Sequence, residues 1–516
     1  MPISHRSKWK IEKGENMNIK RAKQEIIDAV EAYLSKDEYG DWLIPRVRQR
    51  PVLLIGAPGI GKTQIMEQAA RECGVALVAY SITHHTRQSA IGLPFISKKQ
   101  YGEKEYEVTE YTMSEIVASV YDKMEETGLS EGILFIDEIN CVSETLAPAM
   151  LQFLQCKTFG NHAIPDGWAI VAAGNPPEYN KSVRDFDVVT LDRVKKIPVE
   201  PEFDVWKEYA YKEGIHPAVL SYLNLRSSYF YKMETTVEGR KFATPRGWED
   251  LSRIIQVYEK LKKTVDADLV LQYIQHPKIA RDFAAYYDLY QKYQSDYQIE
   301  AILRGENFDR MQAKVAHASF DERMSVVHLL LSGVQKVIRR SMERELVTEK
   351  VFAVLKDLKA NLDETEETAE ALERFTALVE TEREKKKQQE LLEHREERVL
   401  KETVRILGDY QEKLRLEGPL KGEEGFAALK ALFGGEKEAY EISFDEAGKT
   451  LENAFDFMEA AFLNSQELVV FLSELNTDFY CIAFLKEYDC ERYYRYNKEL
   501  LFEDRSTQIK KRIEAL

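Results

Sequence analysis

The stretch that most constrains this chain is Gly56-Ala57-Pro58-Gly59-Ile60-Gly61-Lys62-Thr63. It follows an apolar run, Val52-Leu53-Leu54-Ile55, and precedes a stretch of helical spacing, Thr63–Cys73, that Gly74 ends. A short apolar run that stops at glycines reads as a buried parallel strand feeding a loop. The eight residues fit GxxxxGK[ST] in full, and each fixed position has a chemical reason. Glycines let the backbone wrap an anion with its N–H groups inward, and the helix start beyond them adds a favourable dipole end. Lys62 places an ammonium on the β- and γ-phosphates of a nucleotide, and Thr63 offers a hydroxyl to Mg²⁺.

A matching second half lies downstream. Ile133-Leu134-Phe135-Ile136 is a buried strand that delivers Asp137 and Glu138 to its carboxyl end. Asp137 would hold the Mg²⁺ shell, and Glu138 would orient and polarise an attacking water. Two further strands are expected at Ala76–Ser81 and Trp168–Ala173, with helical patterns between them. The fold class is therefore α/β, a P-loop core with a mainly parallel sheet, followed by a helical lid and a long helical C-terminal region. The expected divisions are residues 1–40, an N-terminal extension and helix; 41–200, the nucleotide-binding domain; 201–290, the helical lid; and 291–516, the helical remainder. After Pro201 no more strands are expected. A single charged, solvated helical arm is expected over residues 363–416, because Thr381–Glu390 has too few apolar residues for a coiled-coil seam.

The ordered set of motifs resembles the AAA+ ATPases and, within them, the MoxR-type group. The residues that carry the resemblance are GAPGIGKT, the acids of FIDEIN, Ala173-Gly174-Asn175-Pro176, Leu191-Asp192-Arg193 and Ala243-Thr244-Pro245-Arg246-Gly247. They span roughly residues 40 to 290. The resemblance implies ATP hydrolysis with Mg²⁺. It also implies that Asn175 is sensor 1, which helps place the lytic water. Arg193 becomes the arginine finger that reaches a neighbouring subunit, with Arg184 as a second candidate, and Arg246 becomes sensor 2 on a lid helix. Guanidinium groups suit developing charge on a transferred phosphoryl group. The family further implies a homo-oligomeric ring, most often a hexamer, and a client protein. It implies a separate von Willebrand factor A-type partner as well, since no Asp-x-Ser-x-Ser motif occurs in this chain. Gly92–Tyr111 resembles the helix-2 insert hairpin and Phe159–Trp168 the hairpin before sensor 1, either of which could grip a polypeptide. Two positions depart from the group: Cys141-Val142-Ser143 follows the acids where a basic residue is more usual, and Val194 replaces an aromatic after Arg193.

Composition narrows the partners. A formal net charge of −16 disfavours a general nucleic-acid binder. The alternatives to protein remodelling are a nucleic-acid motor, for which Lys98, Lys99 and Lys104 are diluted by Glu103, Glu105 and Glu107, and an ATP-gated scaffold, which has little use for Glu138. Five cysteines without CxxC spacing read as reduced, mostly buried thiols. The patternless Met1–Gly14 is expected to be disordered and lacks a secretory h-region, and no apolar run is long enough for a membrane helix, so a cytoplasmic location is expected. His84-His85 would point to opposite faces of a strand and reads as structural. Leu331-Ser332-Gly333-Val334-Gln335, which looks like the ABC-transporter signature, falls in an apolar helical pattern and reads as core.

Overall fold

The computed structural model describes residues 17–498 except 84–87, 89, 91, 144, 160, 180–185, 187, 238, 307 and 463–464. The expectations for Met1–Gly14, His84-His85 and Arg184 lie outside the described residues. The chain divides into two compact units, Met1–Val205 with Lys385–Leu392, and Trp206–Glu384 with Glu393–Leu516.

The first unit runs β1 (Met17–Asn18), α1 (Ile19–Leu34), β2 (Val52–Gly56), α2 (Lys62–Cys73), β3 (Ala76–Ser81), β4 (Pro94–Tyr101), β5 (Lys104–Tyr111), α3 (Glu115–Thr127), β6 (Gly132–Asp137), α4 (Ala147–Cys156), β7 (Thr158–Phe159), β8 (His162–Ala163), β9 (Trp168–Gly174) and β10 (Lys195–Glu200). Six strands form one sheet in the order β1-β10-β2-β9-β6-β3, and every pairing in it is parallel. All four expected strands are present. Strand β10 was hidden in the sequence by two lysines and a proline. Only Ile197 and Val199 of it are buried, and Pro198 sits opposite Ile55. Local chemistry sets the helix ends. Gly74 (φ 66) closes α2 with its N–H on Ala70 and Arg71 carbonyls, and Ser114 caps α3 by accepting from Val117 N–H. Leu53, Leu134, Ile136, Val117, Phe153 and Trp168 belong to one apolar cluster behind the sheet. Gly132 is required there, because a Cβ would meet the Trp168 ring at 2.5 Å.

Lys157 is an exception in this core, 3 % exposed and left-handed at φ 54. Its ammonium donates to Gln49 Oε1 at 2.7 Å and to the Trp168 carbonyl at 3.2 Å. Burial, reinforced by the Arg46 charge and opposed by Asp166, pushes its pKa down to about 8. Below that value the lysine is charged in both folded and unfolded chains, and its desolvation cost is present in full. Between about 8 and the ordinary 10.5 the unfolded chain holds a proton that the folded one has released, so stability rises with pH across that window. Relative to Lys157→Met, the wild-type chain is expected to gain up to ~3 kcal/mol over this range. Chemical denaturation at the two ends of the window checks it, and a constant gap would contradict the shift.

The second unit is mostly helical, but the expectation that strands stop after Pro201 is wrong. A hairpin pairs β11 (Lys232–Thr236) with β12 (Gly239–Ala243). Thr235, Thr236 and Val237 favour extended backbone, and Gly239, at φ 127, opens the return strand. After it, α5 (Pro245–Lys260) packs Trp248 against Tyr222 and Phe283. The 42-residue α6 (Phe320–Asn361) contains the Leu331–Gln335 stretch with Leu331 and Val334 buried, as expected of a core helix. At Gly333 the Leu303 side chain packs directly over the helix, where a Cβ would stand 2.2 Å from Leu303 Cδ1.

The charged stretch expected as one helix over 363–416 is two, α7 (Thr368–Gln388) and α8 (His394–Glu417). Lys385, Lys386 and Lys387 end α7 where cations suit the helix dipole. Helix α8 buries Leu400, Leu407 and Leu414, so it is no purely solvated arm. Helix α9 (Gly422–Phe462) follows, with Ala454, Phe455 and Met458 buried. The thiols are less buried than expected: Cys481 and Cys490 are enclosed, Cys73 and Cys141 half-buried and Cys156 exposed, and none of the five is in a disulfide. Among the described residues no single helix is long and apolar enough to cross a membrane.

Candidate functional site

The site forms at the carboxyl edge of the sheet, where open parallel α/β sheets bind ligands. Strand β9 lies between β2 and β6. Three strand ends, Gly56, Gly174 and Asp137, therefore bring the glycine loop, Asn175 and the two acids together. The loop owes its course to glycine at defined points. Gly59 and Gly61 take φ 75 and φ 94. At Gly56 a Cβ would lie 2.7 Å from the Val199 carbonyl of neighbouring β10.

Lys62 opens α2 and is 8 % exposed. Its ammonium donates to the carbonyls of Gly56 and Ala57, each at 2.8 Å, and to Asn175 Oδ1 at 2.9 Å. The hydroxyl of Thr63 donates to Asp137 Oδ2 at 3.2 Å. The other oxygen of Asp137 accepts the Glu138 N–H at 2.9 Å. Glu138 itself sits in the left-handed region at φ 57, a costly position for a residue with a side chain. A hydroxyl and a carboxylate meeting beside an ammonium and a glycine loop suit Mg²⁺ with a polyphosphate: oxygen donors for a hard cation, and N–H groups and a lysine for the anion.

The structure thus brings together Lys62, Thr63, Asp137, Glu138 and Asn175. It separates Arg193 from them. The ladder pairs Lys195 with Val52 and Val199 with Gly56, so Arg193 precedes the amino end of β10 whereas the loop leaves the carboxyl end of β2. The paired span alone is about 13 Å, beyond the reach of one arginine side chain. Arg193 is exposed and donates to Gln155 Oε1 of α4. Arg246 belongs to the second unit, exposed on the first turn of α5. Thr244 caps that turn by accepting from Gly247 N–H at 3.2 Å. Gly247 is obligatory there, because a Cβ would meet the Tyr273 carbonyl at 2.7 Å.

Two features escaped sequence reasoning. Asn140, two residues after Glu138, is buried and bonds the backbone of Asn175. The two hairpins treated separately also touch. His162 Nε2 lies 3.0 Å from the Tyr111 carbonyl, and Asn161 donates to Glu110. The longer hairpin turns at Gly102 (φ 64) and exposes Phe95, Ile96, Tyr101 and Tyr106. Two of its lysines are answered by acids, Lys98 by Glu105 and Lys99 by Glu110.

Residues 51–194 match the family model for the AAA domain, dynein-related subfamily. No curated protein sequence matches the chain. Among solved structures, one Thermotoga maritima RuvB variant aligns over 50% of this chain and 69% of its own, at 17% identity and a TM-score of 0.27. A second T. maritima RuvB variant gives the same coverages at 18% identity and a TM-score of 0.26. C. elegans PCH-2 aligns over 41% of this chain and 48% of its own, at 14% identity and a TM-score of 0.23.

Proposed function

We propose that this chain is a Mg²⁺-dependent ATPase whose sites are completed between subunits of a ring and whose turnover remodels a partner protein. The observation that carries the reading is the convergence of Lys62, Thr63, Asp137, Glu138 and Asn175 at one sheet edge, with Thr63 and Asp137 3.2 Å apart. The backbone of Gly56–Thr63 would bind the phosphates, and Thr63 and Asp137 would hold Mg²⁺. When bound, the cation neutralises charge that develops on the phosphoryl oxygens. Glu138 would orient the attacking water and accept its proton. Asn175 would steady that water, while Lys62 would exchange its loop carbonyls for phosphate oxygens. The direct test is phosphate release from Mg²⁺·ATP: the wild-type chain turns over and Lys62→Ala does not bind or hydrolyse. Wild-type protein that binds ATP without releasing phosphate would favour a nucleotide-gated scaffold instead.

The finer parts of the reading rest on the motifs. A MoxR-type ATPase in a hexamer, acting on a client with a separate von Willebrand factor A-type protein in the cytoplasm, accords with the motif set Asn175, Arg193 and Arg246. Arg246 would serve as sensor 2 from a lid over residues 201–290, with residues 291–516 offered to partners. Exposed Phe95, Ile96 and Tyr101 suit an apolar polypeptide better than a phosphate backbone, and the pairing of Lys98 and Lys99 with glutamates weakens the nucleic-acid reading. That reading makes its own prediction. If this hairpin were a nucleic-acid grip, DNA would stimulate turnover and the stimulation would fall steeply with salt. No stimulation is expected.

A further inference from the structure

We infer that Asn140 is a positioning residue that fixes Asn175 at the hydrolytic site, an inference that rests on the hydrolysis reading above. Sheet pairing along β9 stops at Gly174 on the β2 side and at Ala172 on the β6 side. Asn175 therefore lies one residue beyond the ladder, without a strand to hold its peptide groups. Asn140 takes the strand's place. Its Nδ2 donates to the Asn175 carbonyl at 2.7 Å, and its Oδ1 accepts the Asn175 N–H at 3.3 Å. Only one orientation of the amide satisfies both contacts. The side chain is 5 % exposed, so water competes little for either bond.

Gly174 makes the approach possible, because a Cβ there would stand 2.6 Å from Asn140 Oδ1. With its backbone fixed from both sides, Asn175 presents Oδ1 to Lys62 at 2.9 Å. Asn140 belongs to the single turn Ile139–Cys141, closed by Cys141 N–H on the Glu138 carbonyl at 2.8 Å. One amide thus ties the turn that carries the water-activating acid to the residue that steadies the water. Of the residues near this size, only asparagine offers a donor and an acceptor at this distance. Aspartate would set a carboxylate oxygen against the Asn175 carbonyl.

The experiment compares wild type, Asn140→Ala, Asn140→Asp, Gly174→Ala and the double variant Asn140→Ala/Gly174→Ala. Three quantities are read: phosphate release, affinity for a fluorescent ATP analogue, and amide hydrogen exchange in the peptide spanning residue 175. Asn140→Ala is expected to cut turnover about 10- to 100-fold, the usual loss when the residue behind a functional group is removed, with analogue affinity little changed and exchange at 175 accelerated. Asn140→Asp is expected to fall at least as far. Gly174→Ala is expected to match Asn140→Ala, and adding Asn140→Ala to it should bring no further loss, since both act through one contact. Unchanged turnover and exchange in Asn140→Ala would overturn the inference, as would a loss that merely follows weaker binding. A wild-type chain without turnover would overturn the hydrolysis reading, and the exchange measurement would then still decide whether Asn140 holds residue 175.

Discussion

Replacing Glu138 with glutamine is expected to lower ATP turnover by about 10²- to 10⁴-fold, the range a positioned general base contributes, while nucleotide binding survives. The division of labour between the two acids leads to this. Asp137 has one oxygen on the Thr63 hydroxyl and the other on the Glu138 N–H, so it holds the loop and its own neighbour in place. Glu138 is the acid held in a left-handed backbone, at a strain of roughly 1–3 kcal/mol. Glutamine preserves the length and shape of the side chain and removes only the basic carboxylate. Phosphate release and titration with a fluorescent analogue separate the two effects. ATP that binds but does not turn over should also stabilise the assembly, which light scattering reads as a persistent high mass in Mg²⁺·ATP. Turnover at the wild-type rate would remove Glu138 from the mechanism.

How legible this site was depended on what each residue has to do locally. Gly56–Thr63 and Asp137–Glu138 announce themselves, because phosphate wrapping needs glycine at set places and the acids must end a buried strand. Strands β2, β3, β6 and β9 were equally plain, being largely apolar runs. Strand β10 was not, because Lys195, Lys196 and Pro198 interrupt it and only its partners β1 and β2 make it a strand. The β11–β12 hairpin was missed because its residues are too polar to show burial. The charged stretch over 363–416 read as one helix because local propensity is helical throughout, and only the charges flanking it, Lys385–Lys387 before and Glu396-Glu397 after, mark the break at 389–393. Asn140 was invisible for a different reason. An asparagine after two acids obeys many rules, and its partner lies 35 residues away, at a backbone position no residue-type rule can name.

Arg193→Ala is expected to reduce turnover about 10³-fold or more, the effect of removing a guanidinium that meets charge on the transferred phosphoryl group, with nucleotide affinity nearly intact. The sheet register supplies the reason the loss should depend on a neighbour. Arg193 and the glycine loop lie at opposite ends of adjacent strands, so the arginine cannot serve its own loop and is free to complete one on another copy. A ring built from one repeated, head-to-tail contact places every such arginine against the next site. Lys62→Ala inactivates the loop but keeps Arg193, and Arg193→Ala does the reverse. Mixed in equal amounts, two inactive proteins should form rings in which about a quarter of the interfaces join an intact loop to an intact arginine. Activity should therefore reappear, peaking near equal mixing and vanishing at either extreme. No recovery at any ratio would count against a shared site. Arg184→Ala, mixed with Lys62→Ala in the same way, separates the two arginines, because only the one that completes a neighbouring site can be rescued by a partner.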